Sequence, residues 1–210
     1  MNNYTYILAS LPALSPDYSF GKETPADMVA FILEQLSEKD GKLVRTMQDG
    51  FDKEKLGKDF YRAVLTDRNR FLRDYFRFDL RVRNAKVAYL NERLGRAEGT
   101  DILAFDPDQE EDAAALKSLE GVEFEEEAAT NQALAAPDLL SRERALDALY
   151  NNKIEALTTF EGFTLEAILG FLAKLHIVAR WFELDEQTGR EKFRALVDEV
   201  RGTYNGVEYK

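Results

Sequence analysis

The chain has 210 residues, with 28 Lys and Arg against 39 Asp and Glu, a net charge of −11 at neutral pH. At about 150 residues per domain, that is one domain or two small ones, and it is long enough to bury a core. Cysteine is absent, which excludes disulfide frameworks, thiolate metal sites and cysteine nucleophiles. The acidic balance argues against nucleic acid or anionic lipid as the main partner.

The opening, Tyr4 to Pro12, is apolar and aromatic. Pro12 and Pro16 stop any helix begun there, and the stretch fits either a short strand or a single packed helical turn. Met1 to Ser10 holds no basic residue and no adequate signal-peptide core. Thr24-Pro25 reads as a helix start, with Thr as N-cap and Pro in the first turn. Met28, Val29, Phe31, Ile32, Leu33 and Leu36 follow at helical spacing, and the expected end is near Asp40-Gly41. Leu43, Val44 and Met47 add a further turn or two before Gly50.

Asp59 to Leu94 contains neither Gly nor Pro. Positions 61, 64, 68, 71, 75, 78, 82, 85 and 89 recur three and four apart and are apolar or aromatic except at Arg68, a sustained helical seam. Unbroken, the segment exceeds about 50 Å at the usual helical rise. A break near Thr66-Asp67 is the alternative, and Arg68 within the seam either finds a carboxylate or marks that break. Gly95 is the expected stop.

Glu98 to Glu127 holds 12 acidic residues and one basic residue, Lys117, whereas Asp59 to Arg96 holds 10 basic and 5 acidic. Charge is therefore polarised along the chain. Thr100 to Asp112 reads as a solvated surface connection and Ala113 to Leu119 as helical. Asp106, Asp108, Glu110 and Asp112 alternate as in a calcium loop, but Glu111 stands where Gly is needed and Lys117 where a chelating Glu belongs. That pattern is rejected.

Three helices are expected in the C-terminal part. The first runs from Asp138 to about Thr158, with Leu139, Leu140, Leu146, Leu149, Ile154 and Leu157 apolar. Thr164 caps the second, from Leu165 to about Leu184. A turn over Glu183 to Gly189 leads to the third, carrying Phe193, Leu196, Val197 and Val200, and Asn205-Gly206 marks a final turn. The stretch from Phe163 to Phe182 is the most apolar, but Glu166, Lys174, His176 and Arg180 make it a core helix and not a membrane span. The fold class is mainly α, with long antiparallel helices in one or two packed bundles. Residues 1–97 form an N-terminal helical part, 98–136 an acidic connection and 137–210 a C-terminal helical part, together one compact unit.

Catalytic signatures are few. No phosphate-binding glycine loop and no nucleophile elbow occur. His176, the single histidine, lies among Leu175, Ile177 and Val178 and reads as a packed helix residue. Ala173 precedes it by three, so no Glu-x-x-His di-metal motif is present. No catalytic, cofactor or metal residues are assigned. Among the basic side chains of the long helix, Arg70, Arg73, Arg77 and Arg81 share one broad face. With Arg83 they are the candidate partner-binding set, facing either an acidic partner or the chain's own acidic stretch. Pairing with Asp67, Asp74 and Asp79 is the plainer reading.

Two segments carry a resemblance. One is Tyr75-Phe-Arg-Phe-Asp79-Leu80-Arg-Val-Arg83-Asn84-Ala-Lys86, ending in Leu94-Gly95. The other is Phe163-Thr-Leu-Glu166-Ala-Ile168-Leu-Gly-Phe171, with Ile177-Val-Ala-Arg180-Trp181. Both resemble the helix pattern of the central-stalk socket subunit of V-type and A-type ATPases, named C in prokaryotes and d in eukaryotes. The opening Tyr4-x-Tyr6-x-x-Ala9 is similar too, although Ala9-Ser10-Leu11 departs from that family's Ala-Arg-Val. More closely, the chain is similar to a short bacterial family of uncharacterised proteins associated with V-type ATPase operons. It is too short for three stacked bundles and supplies about two. At an offset of 97, Leu80 and Arg83 meet Ile177 and Arg180, a faint internal repeat.

The resemblance implies a shortened socket-like subunit or accessory. It would be non-catalytic and without cofactor or small-molecule substrate, joining shaft and rotor-ring subunits by protein contacts. It would be cytoplasmic, reaching the inner face of the membrane only through those partners. Glu166 and Arg180 match the second motif as structural residues. The alternative is a helical adaptor or regulator unrelated to the ATPase.

Overall fold

The computed structural model describes residues 3–15 and 18–183. Among them are nine α-helices and one 3-10 turn, and no strand. The protein is mainly α, as the sequence pattern predicts. The expected last helix with Phe193, Leu196, Val197 and Val200, the turn Glu183–Gly189 beyond its first residue, and the turn at Asn205-Gly206 lie outside the described residues, as does Pro16.

Helix α1 spans Tyr4–Ser10 and buries Ile7, which decides the strand-or-helix alternative in favour of a helical turn. Helix α2 spans Pro25–Gln35. Its capping box is complete: the Thr24 hydroxyl accepts from the Asp27 amide, and the Asp27 carboxylate accepts from the Thr24 amide. The expected end at Asp40-Gly41 is wrong. Helix α2 stops at Gln35, and α3 runs over Glu38–Asp49 with Ser37 as its N-cap. Asp40 supplies the amide that Ser37 caps, so Gly41 falls in a first turn and not at a terminus. The Tyr4 hydroxyl donates to Asp40 and ties α1 to α3.

The long seam is broken where Arg68 interrupts it. Helix α4 covers Lys58–Leu65 and α5 covers Arg70–Leu94. Between them, Asp67 accepts from the Asn69 amide and Asn69 caps Leu72, while Arg68 points to solvent. Helix α5 is thus about 37 Å long. It ends at Gly95, whose φ of 63° is the left-handed conformation that favours glycine.

The acidic stretch is more than a surface connection. It carries the 3-10 turn Glu110–Asp112, α6 over Ala113–Leu119 and α7 over Glu127–Leu134. Ala115, Thr130 and Leu134 are buried. The Asn84 side chain clamps it, accepting from the Leu103 amide and donating to the Leu103 carbonyl.

Helix α8 spans Leu139–Thr158, capped by Asp138, and α9 spans Leu165–Glu183, with Thr164 accepting from the Ala167 amide. Leu139 and Leu140, expected on the apolar side, are exposed. Helix α9 is the centre of the molecule. It packs against α1, α2, α3, α5 and α8, and Ile168, Leu169, Leu172 and Ala173 are buried. Full burial of such Leu and Ile side chains contributes about 1.5–3 kcal/mol each, which is why the most apolar segment occupies the middle.

Contacts fix the helix directions. Asp79 meets Tyr150 and Lys86 meets Glu143, so α8 runs antiparallel to α5. Glu155 meets Lys174 and Asp147 meets Arg180, so α9 runs antiparallel to α8. Helices α5 and α9 are therefore parallel neighbours. Asn69 donates to Glu166 at 2.9 Å across a separation of 97 residues. The offset that relates the two segments in sequence also places them side by side in space.

Candidate functional site

Besides Asp40, three buried carboxylates organise the polar interior. Asp79, on the buried side of α5, accepts from the Tyr61 hydroxyl of α4, the Tyr150 hydroxyl of α8 (2.7 Å) and Arg83 Nε (2.7 Å). Burial first, and then the Asp79 charge, push the phenols of Tyr61, Tyr75 and Tyr150 up. Tyr61 and Tyr150 donate to Asp79, so the cluster ties α4, α5 and α8 together. A charge-assisted bond to a buried carboxylate is among the stronger ties available.

Asp147 of α8 is the second centre. It accepts from Arg180 (2.6 Å to each oxygen) and from the Trp181 indole N–H. Arg180 also reaches Glu143, which meets Lys86 of α5. The Arg180-Trp181 pair of the second motif thus clasps α8 to α9. Glu166, from the same motif, joins α9 to Asn69 at the head of α5. Both Glu166 and Arg180 are structural ties.

Asp112 is the third, and it corrects the picture of a wholly solvated acidic loop. Its side chain is fully buried, with Lys58 Nζ at 2.6 Å and Arg62 Nη2 at 2.8 Å. It also accepts from the Asp106 amide. Burial pushes its pKa up, but the Asp106 amide, Lys58 and Arg62 outweigh burial and hold it down to about 2. Lys58 and Arg62 are one turn apart on α4, so their heads converge on one carboxylate. A charge count along the chain does not show which acid turns inward.

The five candidate arginines do not present one open face. Arg83 is committed to Asp79. Arg77 bonds Asp74 and the Ser118 hydroxyl. Arg81 donates to the carbonyls of Leu119, Val122 and Glu123, closing the end of α6. Arg73 donates to the Asp67 carbonyl, and Arg70, whose side chain is 80% exposed, reaches Asp74 and no other carboxylate among the described residues. Arg77 and Arg81 thus meet the chain's own acidic stretch, through a hydroxyl and carbonyls and not through carboxylates.

His176 lies flat on Phe51, with ring centroids 4.1 Å apart and an angle of 2° between the planes. It belongs to a packing contact between α9 and the end of α3. Among the described residues, no group of three or more His, Asp or Glu side chains is set to hold a metal ion. Nor is any helix among them long and apolar enough to cross a membrane.

Sequence reasoning did not single out Tyr150, Asp147 or Asp112 as polar centres, nor the turn between α8 and α9. There Phe160 is 95% exposed and Phe163 61% exposed. A depression of about 200 Å³ lies beside this turn, lined by Arg70, Phe71, Leu157, Glu161 and Glu166. The available signal was two phenylalanines flanking Gly162 in the short segment between two helices.

Fold and interior together define a helical protein whose motif residues serve as ties between helices. The chain belongs to the family described as "Protein of unknown function (DUF2764)", which matches residues 45–203. Comparison with the curated proteins and with the solved structures returns no match.

Proposed function

We propose that the protein is a non-catalytic coupling component of a V-type ATPase, joining the central shaft to the membrane rotor ring through protein contacts. The observation that supports this reading most is the use made of the motif residues. Asp79, Glu166, Arg180 and Trp181 are engaged in ties across α4, α5, α8 and α9, and Arg83 backs Asp79 from within α5. A part that transmits torque must resist shear between helices, and buried cross-ties around a central apolar helix oppose local opening. The reading calls for no cofactor and no small-molecule substrate, and the protein would meet the membrane only through its partners.

A helical adaptor acting elsewhere is the second reading. The uncovered Phe160 and Phe163 favour a protein contact whichever machine is involved. A tagged pull-down from the membrane fraction of cells that carry the protein separates the two. Recovery of rotor and shaft subunits, weakening with salt, supports coupling. Recovery of the protein alone, with those complexes intact in the same lysate, favours the adaptor.

A further inference from the structure

The α8–α9 turn is built to hold its aromatic residues outward. Thr158 and Thr159 donate to the carbonyls of Ile154 and Glu155, and the Glu161 amide returns to the Thr158 carbonyl. Thr164 then caps α9. The turn is thus secured on both sides, and neither Phe160 nor Phe163 is covered. A contact surface fixed in advance loses little conformational entropy on binding, and aromatic anchors commonly carry much of the energy of an interface.

The surroundings specify the partner's charge. Residues 154–173 carry three carboxylates, Glu155, Glu161 and Glu166, and no Lys or Arg. Glu155 is paired with Lys174. Glu161 and Glu166 line the depression beside the two rings. Arg70 also lines it, 80% exposed and 3.4 Å from Asp74, so the recess holds two carboxylates against one cation. The turn therefore offers an apolar ridge next to an acidic recess.

We propose that this turn docks an amphipathic helix of a protein partner, one whose apolar stripe is bordered by Lys or Arg. The stripe packs on Phe160 and Phe163, and one basic side chain enters the recess between Glu161 and Glu166. Anionic lipid is disfavoured by the same carboxylates. The inference concerns the recognition chemistry of the turn and does not depend on an ATPase being the machine served.

The test uses the full chain and two labelled helical peptides with the same apolar stripe, one bordered by Lys and one by Glu, read by fluorescence anisotropy. The Lys-bordered peptide should bind about tenfold or more tightly than the Glu-bordered one. The Phe160→Ser, Phe163→Ser double variant should lose about tenfold or more of that affinity. Glu161→Gln with Glu166→Gln should remove the preference between peptides. The thermal melt of the Phe variant should match the parent, since both rings are solvent-facing, and the Glu variant should stay folded, since a Gln at 166 keeps an acceptor for Asn69. Equal binding of the two peptides overturns the proposal, as does binding indifferent to Phe160 and Phe163. A dimer in sedimentation that dissolves in the Phe variant, or recruitment to anionic vesicles through the same residues, would also overturn it.

Discussion

Replacing Asp79 by Ala removes the acceptor shared by Tyr61, Tyr150 and Arg83. The magnitude follows from what is left behind. Two buried phenols lose their partner, at about 1–3 kcal/mol each for an unsatisfied buried donor. Arg83 costs less, because its side chain is 44% exposed and can turn to water. The two phenols together come to about 2–6 kcal/mol, which brackets the roughly 3–5 kcal/mol found when one partner of a buried charged pair is removed. Domains of this kind hold only about 5–15 kcal/mol in all, so Asp79→Ala should stay folded in buffer yet unfold early. With a urea slope of about 2 kcal/mol per molar, the midpoint should fall by about 2 M. Tyr150→Phe alone should cost about 1–2 kcal/mol and should cost much less in the Asp79→Ala background, a coupling that a double-mutant cycle reads directly. A loss below about 1 kcal/mol for Asp79→Ala, or strict additivity with Tyr150→Phe, would refute the three-helix tie.

Phe71 is almost fully buried and packs on Tyr75, so Phe71→Ala should cost about 3–5 kcal/mol by denaturant unfolding; a loss under about 1 kcal/mol would contradict the core position of the seam. Gly50 ends α3 with an ordinary φ of −68°, so space and not conformation demands glycine there. A Cβ would collide with the Phe76 and Phe60 rings, and Gly50→Ala should lower stability by about 1–3 kcal/mol. Asp112 has its pKa depressed to about 2 against an ordinary 3.8. Its contribution is therefore complete above about pH 4 and lost as pH falls toward 2. Asp112→Asn should flatten the stability–pH curve in that window and leave higher pH offset but parallel. An unchanged slope between pH 4 and 2 would show that Asp112 carries none of the acid sensitivity.

Where side chains cap a helix, the sequence was readable. Thr24-Pro25, Gly95, Asp138 and Thr164 each mark a boundary that the structure keeps. Gly41 misled because glycine is a strong stop only when no cap competes. Here Ser37 captures the Asp40 amide three residues on and starts a new helix ahead of the glycine. Arg68 was informative for the opposite reason: a charge in an apolar seam signalled the break that Asn69 then caps. Asp112 was illegible because its burial depends on Lys58 and Arg62, about fifty positions earlier. Composition ranks a run of acids as solvated without saying which one faces in. The parallel packing of α5 and α9 was half visible as the offset of 97, but only the Asn69–Glu166 contact shows it to be spatial adjacency. The α8–α9 turn was missed because Phe163 read as the start of the apolar core helix and Phe160 was not singled out, while the chain reverses there and leaves both outside.

Coupling through protein contacts is best tested by returning the purified protein to V-type ATPase complexes prepared without it from the same cells. A coupling component should bind rotor and shaft subunits stoichiometrically and in a salt-sensitive way. ATP-driven ion pumping should increase, and hydrolysis by the isolated catalytic head should stay unchanged. Failure to bind such complexes, with pumping the same in its presence and absence, would contradict the coupling role.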